Sequence, residues 1–158
     1  MEAKSRTASA VTMTQVVLPF HANVAGNMHG GEVMKMMDSA AGAVAIRHSH
    51  CNAVTASVTQ LSFIEPVFVG DLVVCNAELH YTGRTSMEVY VCVKAEDMER
   101  GIIKEVSEGY FFMVALDRNG RPAQVPPLLI ENEEQQRCFD AAQLRIAQAK
   151  KNKDNLTI

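Results

Sequence analysis

The stretch from residue 19 to residue 48, PFHANVAGNMHGGEVMKMMDSAAGAVAIRH, decides the fold of this chain. A polar, glycine-containing loop spans residues 23–31, and a helix is predicted from about Glu32 to about His50. Apolar residues recur three or four positions apart along it, which is the spacing of one helix face. Residues 39–45 have mostly very small side chains, which let a helix approach its neighbour closely. The pattern predicts a central helix set deep against a sheet.

Asp38 is an unusual residue for the second turn of this helix, because Asp is a poor helix former away from the first turn. Its neighbours one turn away, Met34 and Gly42, cannot pair with it, whereas Lys35 can. One interpretation is therefore a solvated acid paired with Lys35. The alternative is a general base, since a carboxyl group in apolar surroundings binds its proton more tightly.

Gly30 and Gly31 lead directly into the predicted helix. Glycine lets backbone N–H groups approach a ligand closely, and the first helical turn presents unpaired N–H donors at the positive end of the helix dipole. This arrangement suits an anion, or an oxygen that becomes anionic in a transition state. A plain turn followed by a helix cap is the alternative interpretation of the same residues.

Length and composition set the broad class of the protein. A chain of 158 residues with 47% hydrophobic residues favours one globular domain. A net charge of −3 argues against a basic nucleic-acid binder. The first ten residues lack the apolar segment of a signal peptide, and no apolar run is long enough for membrane insertion. The four cysteines form no CxxC pair, which predicts reduced thiols in a cytoplasmic protein.

The remaining elements are predicted from β-branched residues, alternation and turn signals. Residues 1–8 are expected to be a flexible end. Alternation in the third strand places Val73, Cys75, Ala77, Leu79 and Tyr81 on one side. A last helix, acidic at its start and basic at its end, has a thin apolar stripe and would lie on its own domain or on a neighbouring subunit. Strands are predicted at residues 9–18, 52–63, 72–81, 86–95 and 102–116, and the last helix at 131–151.

Short turns between the last four strands imply antiparallel pairing. One small-residue helix against one antiparallel sheet is a two-layer α+β architecture. Such a sheet covers the helix on one side only. The long apolar strands therefore indicate a further partner, most simply a second copy of the chain.

Three segments carry a resemblance to a known family: ANVAGNMHGGEVMKMMDSAAG (22–42), VTASVTQLSFIEPVFVGD (54–71) and TGRTSMEV (82–89). They resemble the hot-dog acyl-CoA thioesterases, and more narrowly the acyl-CoA hydrolase branch that contains the cytosolic two-domain enzyme and its single-domain bacterial relatives. The resemblance implies a hot-dog fold over residues 9–128, in which a five-stranded antiparallel sheet wraps around the central helix. A C-terminal helix and tail would occupy residues 129–158. The resemblance also implies a dimer as the basic unit, often assembled as a trimer of dimers, which is a homohexamer.

The active site of that branch uses an Asn in the loop before the helix and an Asp within it, contributed across a subunit or domain interface. Asn23 and Asp38 match these positions, so a homodimer would present two complete sites. Asp38 would act as general base on water, and direct attack of its carboxylate through a mixed anhydride is the less favoured variant. Asn23 would orient the water or bind the thioester oxygen. The N–H of Gly30 or Gly31 would take the developing oxyanion.

The turn Gly83-Arg84-Thr85-Ser86 resembles the loop that contacts the nucleotide half of coenzyme A. Its charge and its hydroxyl or backbone donors could hold phosphates. A plain hairpin with a solvated Arg is the alternative. His29 flanks the glycine pair and would either shape the thioester site or belong to the polar loop surface.

The resemblance implies hydrolysis of acyl-CoA to a free carboxylic (fatty) acid and coenzyme A. The thiolate of coenzyme A is a good leaving group, so a strong general acid is not essential. No metal or other cofactor is expected. His48, His50 and Cys51 lie close together in sequence, but no further ligands follow at zinc-like spacing. The two histidines are instead expected to cap or solvate the end of the helix.

Two other functions are compatible with this fold and ligand. An acyl-CoA hydratase is disfavoured because Asn23 cannot serve as a base. A non-catalytic acyl-CoA sensor is disfavoured because Asn23 and Asp38 are both present, and the chain has no DNA-binding segment.

Overall fold

Residues 1–155 are described by a computed structural model. A 3-10 turn at Pro19–His21 connects the second strand to the loop before the long central helix. In chain order the elements are β1 (Lys4–Ser5), α1 (Arg6–Ser9), β2 (Val11–Val16), α2 (Gly30–Ser49), β3 (Asn52–Phe63), β4 (Leu72–Thr82), β5 (Ser86–Asp97), β6 (Ile102–Leu116), β7 (Leu128–Leu129) and α3 (Glu133–Asn155).

The main sheet has five antiparallel strands in the order β2-β4-β5-β6-β3, and α2 contacts every one of them. This confirms the predicted α+β fold with a central helix and a C-terminal helix. Strand β2 is shorter than the strand predicted at residues 9–18, because Ser9 ends α1 and Pro19 starts the 3-10 turn. The central helix begins at Gly30, two residues before the predicted start.

The core lies between α2 and the inner face of the sheet. Ala40, Ala41 and Ala45 are fully buried, so the helix axis lies close to the strands. From β5, the alternate residues Met87 and Val89 are likewise fully buried. Burying each large apolar side chain contributes about 1.5–3 kcal/mol to folding. Because alternation places these side chains on one face of the sheet, the helix covers that face.

A β-bulge at His80 changes the direction of the residue that follows it. The pairing of β4 with β5 shifts between Leu79 and Tyr81, so Tyr81 lies opposite Glu88. Leu79 is fully buried in the core, whereas Tyr81 points to the outer face of the sheet, away from α2. The prediction that Leu79 and Tyr81 share one side is therefore wrong, because one extra residue reverses the alternation.

The N-terminal residues are ordered, in contrast to the flexible end that was predicted. β1 pairs in parallel with β7, and α1 follows it directly. Arg6 is only 6% exposed and forms ion pairs with Glu78 of β4 and Glu134 of α3, at 3.2 and 3.1 Å. Residues 4–9 are thus held against the outer face of the main sheet by charge pairing.

Helix α3 lies on the outer face of its own sheet. It begins at Glu133, where the side chain of Asn132 accepts a hydrogen bond from the backbone N–H of Gln135 at 2.9 Å. Arg145 forms an ion pair with Glu88 of β5 at 2.6 Å. Of the two predicted positions for this helix, the structure has the one on its own domain.

His48 is fully buried, so the prediction that it caps or solvates the end of α2 is wrong. Its Nε2 donates to the carbonyl of Pro126 at 2.9 Å, and its Nδ1 accepts from the hydroxyl of Ser9 at 3.3 Å. Burial lowers the pKa of His48 from its ordinary value. His50, in the left-handed conformation at φ 56°, ends the helix as predicted.

Candidate active site

A pocket of about 370 Å³ lies beside the first turn of α2. The loop before the helix forms one wall and is tied down by a bridge between Ala22 and Met28. The end of β3 and the segment after it form the other wall. The lining residues include Asn23, Gly30, Val33, Phe63, Ile64 and Pro66.

The side chain of Asn23 has a fixed orientation in this loop. Its Oδ1 accepts hydrogen bonds from the backbone N–H groups of Ala25 at 2.9 Å and Asn27 at 3.2 Å. These two donors assign the oxygen and nitrogen of the amide, because only the oxygen can accept them. The NH₂ group of Asn23 is therefore left to donate to a ligand.

The two glycines at the start of α2 differ in what their N–H groups do. His29 is the N-cap residue, and its Nδ1 accepts from the N–H of Gly31 at 2.9 Å. A Cβ atom at Gly31 would lie only 2.9 Å from that nitrogen. Within residues 1–155, the N–H of Gly30 forms no hydrogen bond, and Gly30 is one of the residues that line the pocket. The first turn therefore offers one free donor, that of Gly30, at the positive end of the helix dipole.

Asp38 lies on an exposed part of α2. Its Oδ1 accepts a hydrogen bond of 2.5 Å from the hydroxyl of Thr55 on β3. No ion pair joins Asp38 to Lys35 in the part of the chain that the structure describes, so the interpretation as a Lys35-paired acid is wrong. Asp38 does not line the pocket that holds Asn23 and Gly30. One chain thus brings Asn23 and Gly30 into one pocket and leaves Asp38 beside β3, the edge strand of the sheet.

Thr55 is a site residue that the sequence reasoning missed. Asp38 and Thr55 meet only through the packing of α2 against the edge strand β3. The strand predicted at residues 52–63 includes Thr55, but a strand prediction does not report which residue of α2 its side chain contacts. A hydroxyl residue in the strand directly after a helix that carries an unpaired acid is the signal that could have found it.

The turn Gly83–Ser86 contains backbone hydrogen-bond donors that are unpaired within residues 1–155. The N–H of Gly83 donates to the carbonyl of Ser86 at 2.8 Å, and the carbonyls of Arg84 and Thr85 accept from neighbouring backbone N–H groups at 3.0 and 2.9 Å. The N–H groups of Arg84 and Thr85 form no hydrogen bond within residues 1–155. The Arg84 side chain is exposed and forms no ion pair with any described residue. The turn therefore combines a free cation with free backbone donors.

The remaining reactive groups form no further centre. Among residues 1–155, no group of three or more His, Cys, Asp and Glu side chains is arranged to hold a metal ion. The four cysteines are free thiols, and burial raises the pKa of Cys75 to about 12. Such a thiol stays protonated near neutral pH and is a poor nucleophile. None of the helices in the described part is long and apolar enough to cross a membrane.

Comparison with known proteins shows the family to which the chain belongs. The family model described as the thioesterase superfamily matches residues 25–102. A protein of Zymomonas mobilis, named as an uncharacterized acyl-CoA thioester hydrolase, is 41% identical over 114 residues, which cover 72% of this chain and 76% of that protein. The chain belongs to the thioesterase superfamily. Its relatives confirm the predicted acyl-CoA hydrolase branch: the cytosolic acyl coenzyme A thioester hydrolase of Rattus norvegicus is 32% identical over 94% of this chain. The chain spans 40% of the length of that relative.

Solved structures of other superfamily members match nearly the whole chain. An apo-hexameric acyl-CoA thioesterase superimposes with a TM-score of 0.92 at 33% identity, covering 96% of this chain and 97% of that one. The acyl-CoA hydrolase of Staphylococcus aureus, in complex with butyryl coenzyme A, coenzyme A and coenzyme A disulfide, has a TM-score of 0.88 at 29% identity. The match covers 97% of this chain and 93% of that hydrolase.

The Staphylococcus aureus hydrolase has also been solved as three alanine variants, which replace an Asn, an Asp and a Thr. In that protein the Asp follows the Asn by 15 positions, and the Thr follows the Asp by 17. Asn23, Asp38 and Thr55 have the same two separations in this chain. The three residues singled out in that thioesterase thus correspond in type and spacing to the three described here.

Proposed function

We propose that this thioesterase-superfamily chain is an acyl-CoA hydrolase, which converts acyl-CoA and water to a free carboxylic acid and coenzyme A. The observation that carries the proposal is the pair of free donors in one pocket, the amide NH₂ of Asn23 and the N–H of Gly30. Two unpaired donors on residues that line the same pocket suit a carbonyl oxygen that becomes negatively charged.

In this proposal Asn23 and Gly30 bind the thioester carbonyl oxygen. The Asn23 oxygen already accepts two backbone hydrogen bonds, which supports its nitrogen acting as a donor rather than its oxygen orienting water. Removing one such donor from an oxyanion site costs about a hundredfold to a thousandfold in kcat. Gly31 is not used, because its N–H already donates to His29.

Asp38 is the proposed general base. It takes a proton from water as the water oxygen attacks the thioester carbon. The bond from carbon to sulfur then breaks, and the departing thiolate of coenzyme A takes up the proton held by Asp38, which restores the carboxylate. Thr55 donates to Oδ1 of Asp38 and leaves Oδ2 to accept the proton of water, so Thr55 is a positioning residue. The thiolate leaves readily, and the scheme therefore uses no cofactor. Attack by Asp38 itself, through an anhydride, is the less favoured variant.

A homodimer with shared sites is part of the proposal. Asp38 lies outside the pocket of its own chain, at the side of the sheet where β3 is the edge strand. Two apolar residues of that strand, Val54 and Phe63, are 42% and 54% exposed, which favours a partner on this edge. A second copy could then supply Asp38 to the pocket of the first. The hexameric thioesterase among the similar structures supports three such dimers, a homohexamer.

The turn Gly83–Ser86 is proposed to bind the phosphates of the nucleotide half of coenzyme A. Its free N–H groups and the unpaired guanidinium of Arg84 support this role, because phosphate oxygens accept such donors strongly. A cytoplasmic location is also proposed, and it is supported by the relatives that are named cytosolic.

The proposal is tested by release of free thiol from acyl-CoAs of short to long chain. We expect Asp38→Asn to lose at least about a hundredfold in kcat without a change in circular dichroism or oligomer mass. Thr55→Val is expected to lose about tenfold, because the carboxylate is then no longer held, whereas Thr55→Ser keeps the hydroxyl and most of the activity.

Full activity of Asp38→Asn would refute its role as base. A wild type that releases no thiol from any acyl-CoA, yet is stabilised by acyl-CoA in a thermal shift assay, would identify a binding protein instead.

A further inference from the structure

We propose that Tyr81, supported by Phe139 of α3, is a further binding residue for the phosphorylated nucleotide half of acyl-CoA. This inference rests on the proposed function and extends its phosphate site beyond the turn Gly83–Ser86. The site would then include a residue of β4 and depend on the C-terminal helix.

The first step is the position of Tyr81. The bulge at His80 turns Tyr81 to the outer face of the sheet, where α3 lies. Its ring centroid is 4.8 Å from that of Phe139, with the ring planes inclined by 47°. Such a tilted aromatic contact holds the Tyr81 ring against α3, and the position of the ring determines where its hydroxyl lies.

The second step is the contact of that hydroxyl with the turn. A Cβ atom at Gly83 would lie 3.1 Å from Oη of Tyr81 and 2.8 Å from Oγ of Ser86. Two hydroxyl groups therefore occupy the space beside Gly83, which a larger residue would have to displace. Within residues 1–155, neither hydroxyl forms a hydrogen bond with another group. Both remain able to donate to an anion.

The third step is the balance of charge around the hydroxyl. The residue opposite Tyr81 across the strands is Glu88, whose carboxylate is 3% exposed and is paired with Arg145 at 2.6 Å. That pairing removes the repulsion which a free carboxylate would exert on a phosphate. In the same turn, Arg84 is exposed and contributes a positive charge that no described residue pairs. The hydroxyls, the free N–H groups of the turn and Arg84 together match the several acceptor oxygens of a phosphate.

The fourth step concerns α3. Phe139 touches Tyr81 but not the pocket at the start of α2. The helix should therefore affect how tightly the nucleotide half is held and leave the hydrolytic step unchanged. A substrate without the nucleotide would not be sensitive to either residue.

The test compares acyl-CoA with the matching acyl-pantetheine, which has the same thioester and no nucleotide. We expect Tyr81→Phe to raise KM for acyl-CoA about tenfold, with kcat unchanged and with no effect on acyl-pantetheine. Phe139→Ala should raise KM for acyl-CoA by a smaller factor, again with no effect on the shorter substrate. Tyr90→Phe is the matched control, because its hydroxyl is on the outer face and donates to Glu108.

An unchanged KM for acyl-CoA in Tyr81→Phe would overturn the inference, as would an equal rise for both substrates, which indicates a structural effect. Isothermal titration of coenzyme A into the same variants keeps this test separate from catalysis. If the wild type binds coenzyme A without hydrolysing acyl-CoA, the proposed function fails. A higher Kd for coenzyme A in Tyr81→Phe than in Tyr90→Phe would still support the role of Tyr81, and equal Kd values would overturn it.

Discussion

Replacing Arg145 by Ala tests what holds α3 on the sheet. Arg145 donates three hydrogen bonds of 2.6–3.3 Å to the carboxylate of Glu88, and its guanidinium lies 3.7 Å from the ring centroid of Tyr110. The side chains of Arg145 and Glu88 are only 14% and 3% exposed. The substitution therefore leaves a carboxylate buried without its partner.

The expected loss follows from that burial. Breaking a buried ion pair on one side typically costs about 3–5 kcal/mol, much of it from the charge left behind. The lower end applies here, because α3 is an end element that can shift and admit water to Glu88. A loss of about 3 kcal/mol in the free energy of unfolding lowers the Tm of a domain of this size by roughly 6–12 °C.

The assay is thermal and urea unfolding followed by circular dichroism, at one fixed protein concentration, since oligomers unfold at a temperature that depends on concentration. Arg137→Ala is the matched control, because Arg137 lies on the same helix and is exposed. The double variant Arg145→Ala with Glu88→Gln should recover about 1 kcal/mol or more, because the buried charge is then gone. A Tm of Arg145→Ala within about 2 °C of Arg137→Ala would refute the reasoning.

Two further predictions concern stability. Burial lowers the pKa of His48 below its ordinary value of 6.5, so the unfolded chain binds this proton more tightly. The contribution of neutral His48 to stability is fully present above about pH 6.5 and is lost as the pH falls through the lower pKa of the folded state. Urea unfolding from pH 7.5 to 5.5 should therefore show a smaller loss of unfolding free energy in His48→Gln than in the wild type. An equal loss in the two proteins would contradict this. Gly31→Ala places a Cβ 2.9 Å from the capping nitrogen of His29, whereas Gly30→Ala meets Phe63 at 3.6 Å. We expect urea unfolding to find Gly31→Ala less stable than Gly30→Ala by about 1 kcal/mol, and the reverse order would exclude the cap as the cause.

Much of the fold could be predicted because it rests on local patterns. The small residues of α2 and the alternation in β5 each predict which face of the element is buried. In the structure those faces are buried. The ends of β3, Asn52 and Phe63, coincide with the prediction because turn residues bound the strand.

The differences arise where contacts cross long distances in the chain. Arg6 is ordered by acids 72 and 128 residues away, which no local pattern in the first residues could report. His48 is buried where the carbonyl of Pro126, 78 residues later in the chain, accepts a hydrogen bond from its ring. Tyr81 faces outward because of a single bulged residue, a feature that alternation by itself cannot distinguish from a regular strand.

The candidate site was predictable in composition but not in arrangement. Gly30 and Asp38 are predicted from residue type and position, and Asn23 only from the family resemblance. None of this assigns which glycine has a free N–H, because that depends on where the His29 ring caps the helix. It also could not pair Asp38 with Thr55, which requires α2 to lie across the edge strand.

The strand order has a consequence for folding during synthesis. β3 leaves the ribosome directly after α2, yet its partner in the main sheet is β6, which ends at Leu116. β4 and β5 can pair as a hairpin while β3 waits with its backbone N–H and C=O groups unpaired. The nascent chain therefore exposes an unprotected strand edge for about fifty residues of elongation, or several seconds at ordinary synthesis rates. In that interval both edges of β3 can pair with a neighbouring nascent copy: the edge that later pairs with β6, and the outer edge, which no strand among residues 1–155 covers.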